Sequence, residues 1–498
     1  MDNIRREIGL MGVVQPLMQV VGVAVSIILA RFLTPGDYGL VGMATAFTGV
    51  LAMVSKLGIS DAALQRHELT CREASALFWL NAFAGFILGG FAVAVGPAIA
   101  AYFGEPAVAV VAAWAGLALM LNVTAEQHRV QVMRRGGYGT LAVVDLVTQV
   151  AAGTCAVMLA LLGWGWKALV GLFVLQAVFR LGGSVSAARW RPQTPRVVDL
   201  PLDTVKLGLA VCAGWILTSL QRAAEGAVIG KLGGANGLGL YTKGQQLARY
   251  PLMVFFVPAF LPSVHRLSRL VESDTPLEAE YSRLLWWVLL LASAPLGVLA
   301  GTADELIPFV LGEQWAAAVP VTVAFVVVSF AHPVVESAMW VLTASDDKRG
   351  LLGLRITIAL ATVCALWFGM VLGGVLGAAM AVGAAMWIVL VPASFLFTRG
   401  RVRLVFASVL RPVAATVGAG GAAAATAHLL LNIASQWGIM GMGSRLGLAS
   451  LGASVTWFAA ARLGSPRVFG DVVLTVLTAL RLAEFGWARR VVKWCGAR

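Results

Sequence analysis

Four ionisable residues stand close together in otherwise apolar sequence: Arg222 and Glu225, then Lys243 and Arg249. Gln245 and Gln246 lie between the last two. Apolar runs mark both stretches as helices joined by the glycine-rich turn 233–239, so depth can be counted from the turn at a fixed rise. That count places Arg222 about 15 Å and Arg249 about 16 Å from the turn, with Glu225 and Lys243 shallower at roughly 10 and 8 Å. The two shallow groups can neutralise each other, which leaves two guanidiniums at a common depth. A planar guanidinium fork holds phosphate through two parallel hydrogen bonds. A structural salt-bridge cluster between packed helices would use the same four residues, because ionisable groups inside a bilayer normally pair. The residues alone leave both uses open.

Other candidates are more scattered. Gln15, Gln19, Gly22 and Ser26 recur at helical spacing and give the first helix a polar, small-residue stripe, suited either to a cavity wall or to close helix packing. Asp145, four residues before Gln149, and Glu336, near His332, are acids within apolar runs that could bind an ion or proton, or pair with a neighbouring helix. His128 and Arg129, near a helix end, are expected to snorkel to the interface. Arg31 and Lys231 fall at the opposite helix ends and would form a rim. Asn122-Val-Thr124 fits a glycosylation acceptor but lies within a span, and the turn 233–239 is no nucleotide loop. The five cysteines, at 71, 155, 212, 364 and 495, have no Cys-x-x-Cys spacing. No metal and no cofactor is expected.

The elements that must position these residues follow from composition. Hydrophobic residues make up 59% of the chain and charged residues 12%, and mean hydropathy is +0.85. A soluble protein carries about twice that charge fraction. The apolar runs reach roughly 20 residues, enough to cross a hydrocarbon core as helices. The expected fold is an all-α integral membrane protein of about fourteen spans. Helices are expected near 9–31, 38–57, 74–103, 107–133, 138–162 and 166–188, then near 204–232, 238–264, 279–302, 317–344, 350–372 and 375–398. Two more lie near 404–432 and 442–463, and 303–316 reads as a short surface or re-entrant helix. After residue 464, apolar and basic residues share a helical period that suits an amphipathic helix on the cytoplasmic leaflet.

Charge placement sets orientation. With the N-terminus cytoplasmic, roughly thirty Lys and Arg fall on that side. Only Arg31, Lys167, Lys231 and Arg445 fall on the other. Both termini are therefore expected in the cytoplasm, and the net charge of +13 reports topology and anionic lipid, not nucleic acid. No soluble segment is long enough for an ATPase domain.

The chain also repeats itself. Residues 30–40 echo 230–240, Phe103-Gly-Glu recurs as Leu311-Gly-Glu, and 163–170 loosely recurs as 373–380. Six helices per copy implies two parallel repeats about a pseudo-twofold axis along the membrane normal. The expected division is an N-lobe over 1–190, a cytoplasmic linker over 191–203, a C-lobe over 204–400, two further helices over 401–464 and the basic tail over 465–498.

Arg31-Phe-Leu-Thr-Pro-Gly-Asp-Tyr-Gly-Leu, continuing to Leu57-Gly-Ile-Ser-Asp-Ala-Ala-Leu-Gln-Arg66, resembles the start of Wzx-type polysaccharide flippases, in the polysaccharide-transport branch of the MOP superfamily. Val228-Ile-Gly-Lys-Leu-Gly, Leu238-Gly-Leu-Tyr241 and Leu311-Gly-Glu-Gln-Trp315 with Ala318-Val-Pro320 resemble the same branch, so the likeness runs over residues 5–400. It implies two six-helix lobes around a cavity and an undecaprenyl-diphosphate-linked oligosaccharide as substrate. That substrate would be turned across a bacterial cytoplasmic (inner) membrane for exopolysaccharide, capsule or O-antigen synthesis, alongside polysaccharide polymerase machinery. Glu225 departs from the Asp common late in helix seven of such sequences. The alternative within the superfamily is a MATE-like drug or cation exporter, which would favour carboxylates in its cavity. A polytopic glycosyltransferase or glycan polymerase or ligase would need a large external loop with acid, base or cationic groups. The longest external loop here, about 304–316, has no acidic pair and no His–Arg set.

Overall fold

The computed structural model describes residues 2–55, 63–64, 69–194, 202–273, 277–399, 406–437 and 441–464. Among them the regular structure is helical throughout. The thirteen α-helices are α1 (Asp2–Phe32), α2 (Pro35–Ser55), α3 (Cys71–Phe103), α4 (Ala107–Arg134), α5 (Tyr138–Leu161), α6 (Trp166–Ala188), α7 (Leu202–Glu272), α8 (Glu278–Leu311), α9 (Val319–Ala344), α10 (Lys348–Ala385), α11 (Val391–Thr398), α12 (Phe406–Trp437) and α13 (Met442–Gly464). Eleven stretches among the described residues are long and apolar enough to cross a membrane. The expected tail helix after 464 and most of the 191–203 linker lie outside the described residues.

Two of these helices are doubled. α7 runs through a break at Gly234, whose φ of 66° and ψ of −175° no helical residue adopts, so its arms are 202–233 and 235–272. α10 breaks in the same manner at Gly373 and Gly374, and its second arm continues through one π-turn (Met386–Leu390) into α11. The Lys348–Thr398 stretch is one of the eleven apolar stretches, whereas α7, with five ionisable residues between 222 and 249, is not among them.

One expectation is corrected. Residues 303–311 are no separate surface or re-entrant helix, because α8 continues unbroken to Leu311 and stops at Gly312, where φ is 105°. A 3-10 turn (Glu313–Ala318) follows and inserts Trp315, fully buried. Burying a whole indole anchors this corner, which the local run of apolar residues does not reveal.

Helix ends follow local chemistry. Thr70 and Glu73 form a reciprocal capping box at the start of α3, and Gly104 closes that helix in the left-handed region at φ 78°. At the α1–α2 corner, Asp37 Oδ2 accepts from Thr34 N (2.9 Å) and Thr34 Oγ1 (2.7 Å), while its Oδ1 accepts from Trp166 N at the start of α6 (2.8 Å). The Thr-Pro-Gly-Asp turn thus ties the first corner of the chain to the fifth. Arg134 and Arg135, ending α4, donate to the carbonyls of Ala63 and Ala188 at 2.8 and 2.7 Å.

The chain divides into two compact units, Met1–Gly239 and Leu240–Arg498. In the first, α4 is central and packs against α2, α3, α5 and α6, while α1 lies on α5. In the second, α8 packs against α9, α12 and α13, and α9 carries α10.

Within the first unit, the two turns that echo each other in sequence touch. A Cβ added at Gly39 would overlap the Ala235 carbonyl oxygen, and one added at Gly239 would overlap that of Pro35. Residues 35 and 39 correspond to 235 and 239 at the repeat offset of 200, so the contact is reciprocal and has local twofold character. The other echoed sites also match in local form. Gly104 and Gly312 each end a helix at positive φ, and positive-φ glycines mark both the α5–α6 turn (Gly163, Gly165) and the α10 break (Gly374).

Backbone on both sides of the 39/235 contact leaves no flexible side chain to yield. Gly39→Ala and Gly239→Ala are each expected to lower stability by about 1–3 kcal/mol through overpacking, whereas Gly12→Ala, with nothing within 4 Å, should not. Thermal midpoints of the purified variants in detergent check this.

Candidate functional site

Three ionisable residues of the first unit meet where three neighbouring helices come together. Arg129 of α4 donates two bonds to Asp145 of α5, Nη1 to Oδ1 at 2.9 Å and Nη2 to Oδ2 at 2.8 Å. Arg180 of α6 brings its Nε to 3.6 Å from Asp145 Oδ1. Arg129 and the neighbouring His128 are buried, with His128 edge-on to Phe78 and Trp190 at 5.4 Å from each ring. The expected snorkelling does not occur, because the carboxylate lies inward and a bidentate ion pair holds a guanidinium better than a helix end does. Asp145 is thereby placed as the shared counter-ion of two arginines.

Asp145 and Arg180 of this trio line an open chamber bordered by residues of all six helices α1–α6, with a volume of about 580 Å³. Its wall carries Thr45, Thr48 and Ser55 of α2, Asn81 of α3, Asn122 and Glu126 of α4, Asp145, Thr148 and Gln149 of α5, and Gln176 and Arg180 of α6. Thr45, Thr48 and Ser55 donate to carbonyls of their own helix, so their oxygens still have acceptor capacity toward the cavity. Asn122 Nδ2 donates to Ala118 O at 2.9 Å and Gln149 Nε2 to Met18 O at 3.2 Å, leaving both amide oxygens similarly placed. Asn81 is 2% exposed, yet its Oδ1 has no hydrogen-bond partner. Glu126 has no partner among the described residues. Arg129 and Arg180 are balanced in formal charge by Asp145 and Glu126.

Against the chamber runs an apolar groove of about 380 Å³ lined by α2, α3 and the first arm of α7. Phe47, Val50, Leu51, Phe91, Leu220 and Ala223 are among its walls, and Thr48 lines both spaces.

The residues singled out by sequence are placed as follows. Gln15 and Gln19 are exposed on α1 and do not line the chamber. Arg222 is exposed on the first arm of α7, with no hydrogen-bond or ion-pair partner among the described residues, while Glu225 accepts from Gln221 at 2.8 Å. Lys231 donates to the Tyr102 carbonyl and lies 5.1 Å above that ring, and Arg31 is exposed at the end of α1. In the second unit, Lys243 is 3% exposed and lies 5.7 Å from the Trp315 ring centre. Gln246 bonds to the Tyr250 hydroxyl, Gln245 and Arg249 are half-buried, and Glu336 is 3.9 Å from His332. Sequence reasoning missed Asn81, Glu126, Gln176 and the Arg129–Asp145–Arg180 grouping as site residues. The available signal was a set of polar residues within apolar runs on four different helices, which gains meaning only when the runs are assembled.

Comparison with known proteins gives a consistent picture. The profile of the family described as "Polysaccharide biosynthesis protein" matches residues 28–320. The succinoglycan biosynthesis transport protein ExoT of Rhizobium meliloti is 27% identical over 59% of this chain and 60% of that protein. The lipopolysaccharide biosynthesis protein WzxC of Escherichia coli is 23% identical over the same shares of the two chains, 59% and 60%. The chain thus matches about three fifths of the length of these relatives. Among solved structures, the lipid II flippase MurJ in an inward closed conformation superposes with a TM-score of 0.70 at 9% identity, covering 92% of this chain and 98% of that one. An inward-facing MATE family transporter of the MOP superfamily gives 0.58 at 18% identity, covering 77% of this chain and 94% of that one. These likenesses establish a MOP-type fold.

Removing Asp145 would leave two guanidiniums facing each other without a counter-ion. Asp145→Asn is expected to destabilise the protein by about 2 kcal/mol, below the range for fully buried pairs because the Asp145 side chain is 23% exposed. Glu126→Gln, which breaks no bond, should be near neutral, and melting midpoints in detergent compare the two.

Proposed function

Because the chain belongs to the polysaccharide biosynthesis protein family, a Wzx-like family of transporters rather than enzymes, we propose that it moves a lipid-linked oligosaccharide across the bacterial cytoplasmic membrane. The observation that carries this reading is the meeting, at Thr48, of a chamber that sets polar side chains among apolar ones with a groove whose lining is almost wholly apolar. An amphiphile with a hydrophilic head and a hydrocarbon tail needs both surfaces side by side, whereas a purely polar or purely apolar solute needs one. The substrate we infer is a polyprenyl-diphosphate-linked glycan destined for exopolysaccharide, capsule or O-antigen.

In this reading each arm of α7 and α10 crosses the membrane separately, which gives fourteen crossings and places both termini in the cytoplasm. The echoed turns support a reading as two parallel copies of one six-helix unit, as in alternating-access transporters built from repeats. Arg222 in the first unit and Arg249 in the second are separate candidates for the diphosphate, since guanidinium forks suit it. Exposure of Arg222 without a partner among the described residues supports its part. A MATE-like drug or cation exporter is the competing reading. Glu126, a chamber carboxylate without a partner among the described residues, favours it.

Proteoliposomes holding a fluorescent polyprenyl-diphosphate oligosaccharide test the proposal, with leaflet exposure read by an impermeant quencher. Wild-type protein should move the lipid, and Arg222→Ala or Arg249→Ala should each slow it by about ten- to hundredfold, the range for losing a charged hydrogen bond. Lys at either position should restore only part of the rate, since it keeps charge without the fork. Normal transport by the double Ala variant would remove both arginines from the mechanism. Failure of the wild-type protein to move the lipid, with active efflux of an organic cation, would favour the exporter.

A further inference from the structure

The first-unit chamber has a composition that selects among the parts of such a substrate. We propose that it is a binding subsite for neutral sugar residues of the glycan, distinct from any diphosphate site. The inference rests on the flippase reading and specifies what this chamber takes within it.

The volume, about 580 Å³, is that of a small-molecule site. An empty space of this size lined only by methyl groups would suit a hydrocarbon. Here eleven lining side chains carry hydroxyl, amide, carboxylate or guanidinium groups. Their hydrogen-bond balance favours a ligand rich in O–H donors. Thr45, Thr48 and Ser55 spend their own protons on helix carbonyls. Asn122 and Gln149 spend amide protons on Ala118 and Met18. What the three hydroxyls offer the cavity is oxygen lone pairs, Asn122 and Gln149 each add an amide oxygen and keep one N–H, and Glu126 adds a carboxylate.

Asn81 supplies the independent sign that a partner belongs there. Its side chain is almost wholly buried on the chamber wall, and its Oδ1 accepts nothing from the protein. A buried amide oxygen without a donor is unfavourable, and a sugar hydroxyl relieves it. Thr148, 6% exposed, and Gln176, half-buried, add polar groups on the same wall.

Charge excludes the diphosphate from this space. Asp145 already occupies the fork of Arg129 and its charge lies 3.6 Å from Arg180 Nε, without a hydrogen bond to it, and Glu126 would repel an anion. A polyol makes use of acceptors, of the remaining Arg180 donors and of the Gln176 amide without meeting a surplus of either charge.

The test uses full-length protein in nanodiscs and saturation-transfer NMR. The probe is the lipid-free repeating-unit oligosaccharide released from the host's own exported polysaccharide. Wild-type protein should transfer saturation to sugar-ring protons. Asn81→Leu combined with Gln176→Leu should weaken binding about tenfold, as two neutral hydrogen bonds are lost, and inorganic pyrophosphate should not compete. Leu162→Ala, on the exposed surface, serves as the unchanged control. Should the double variant fail to fold by its melting curve, Gln176→Leu and Thr148→Val alone should each weaken binding about threefold. Binding that survives these changes, competition by pyrophosphate, or no transfer with wild-type protein would each overturn the subsite. Transport of the lipid-linked form with undiminished oligosaccharide binding in the variants would sink the subsite alone. Oligosaccharide binding that the variants lose, in a protein that fails to move the lipid-linked form, would sink the flippase reading and leave the subsite standing.

Discussion

Low dielectric makes an isolated charge expensive, and the first unit answers that constraint at Asp145. The carboxylate sits among α4, α5 and α6, and two guanidiniums converge on it, one through a bidentate pair and one at 3.6 Å. Ion pairs of this kind stabilise little by themselves when compared with apolar packing, but breaking them is costly because a charge is left behind. The trio therefore fixes the relative placement of three helices more than it adds to stability. It also neutralises the arginines that would otherwise make the chamber a phosphate site.

A second constraint operates at the corners. Asp37 binds the α1–α2 turn to the first residue of α6, and Gly39 and Gly239 let two turns touch backbone to backbone. Without side chains at these glycines the contact is made through carbonyl oxygens and Cα atoms, an arrangement that weak Cα–H···O contacts favour. Small residues play the same part along helix faces, as where α3 and α4 meet through Gly89 and Gly116. Helices in a bilayer gain little from a hydrophobic drive toward each other, so close approach has to be built from such positions.

These two devices frame an open cavity. Six helices held by ions and at their corners by glycines and a shared aspartate border it and set polar side chains along its wall. The groove on the other side of Thr48 is apolar and can accept hydrocarbon. The chain belongs to the polysaccharide biosynthesis protein family and has a MOP-type fold. The adjoining polar and apolar spaces suggest what sort of molecule this one handles, and the balance of donors and acceptors narrows the head group further.

Much of the architecture was legible in the chain. Twenty-residue apolar runs can only be helices where no water meets the backbone, and helix after helix lies within a few residues of its expected place. The echo of residues 30–40 at 230–240 also surfaces in three dimensions, as two turns in reciprocal contact. Local sequence failed at 303–316, which read as a short surface or re-entrant helix, whereas helix geometry carried on to Leu311. The candidate site was less accessible. Asp145 was visible as an acid in a span, but whether it would meet an ion, a proton or an arginine depended on which faces of α4 and α6 turn toward it. His128 and Arg129 looked interfacial because sequence measures distance to a helix end, whereas burial depends on what the neighbouring helices place there. Hydropathy acts along one helix at a time, and so it is written in sequence. Pairing of charges and enclosure of a cavity act between helices, and only the tertiary structure decides them.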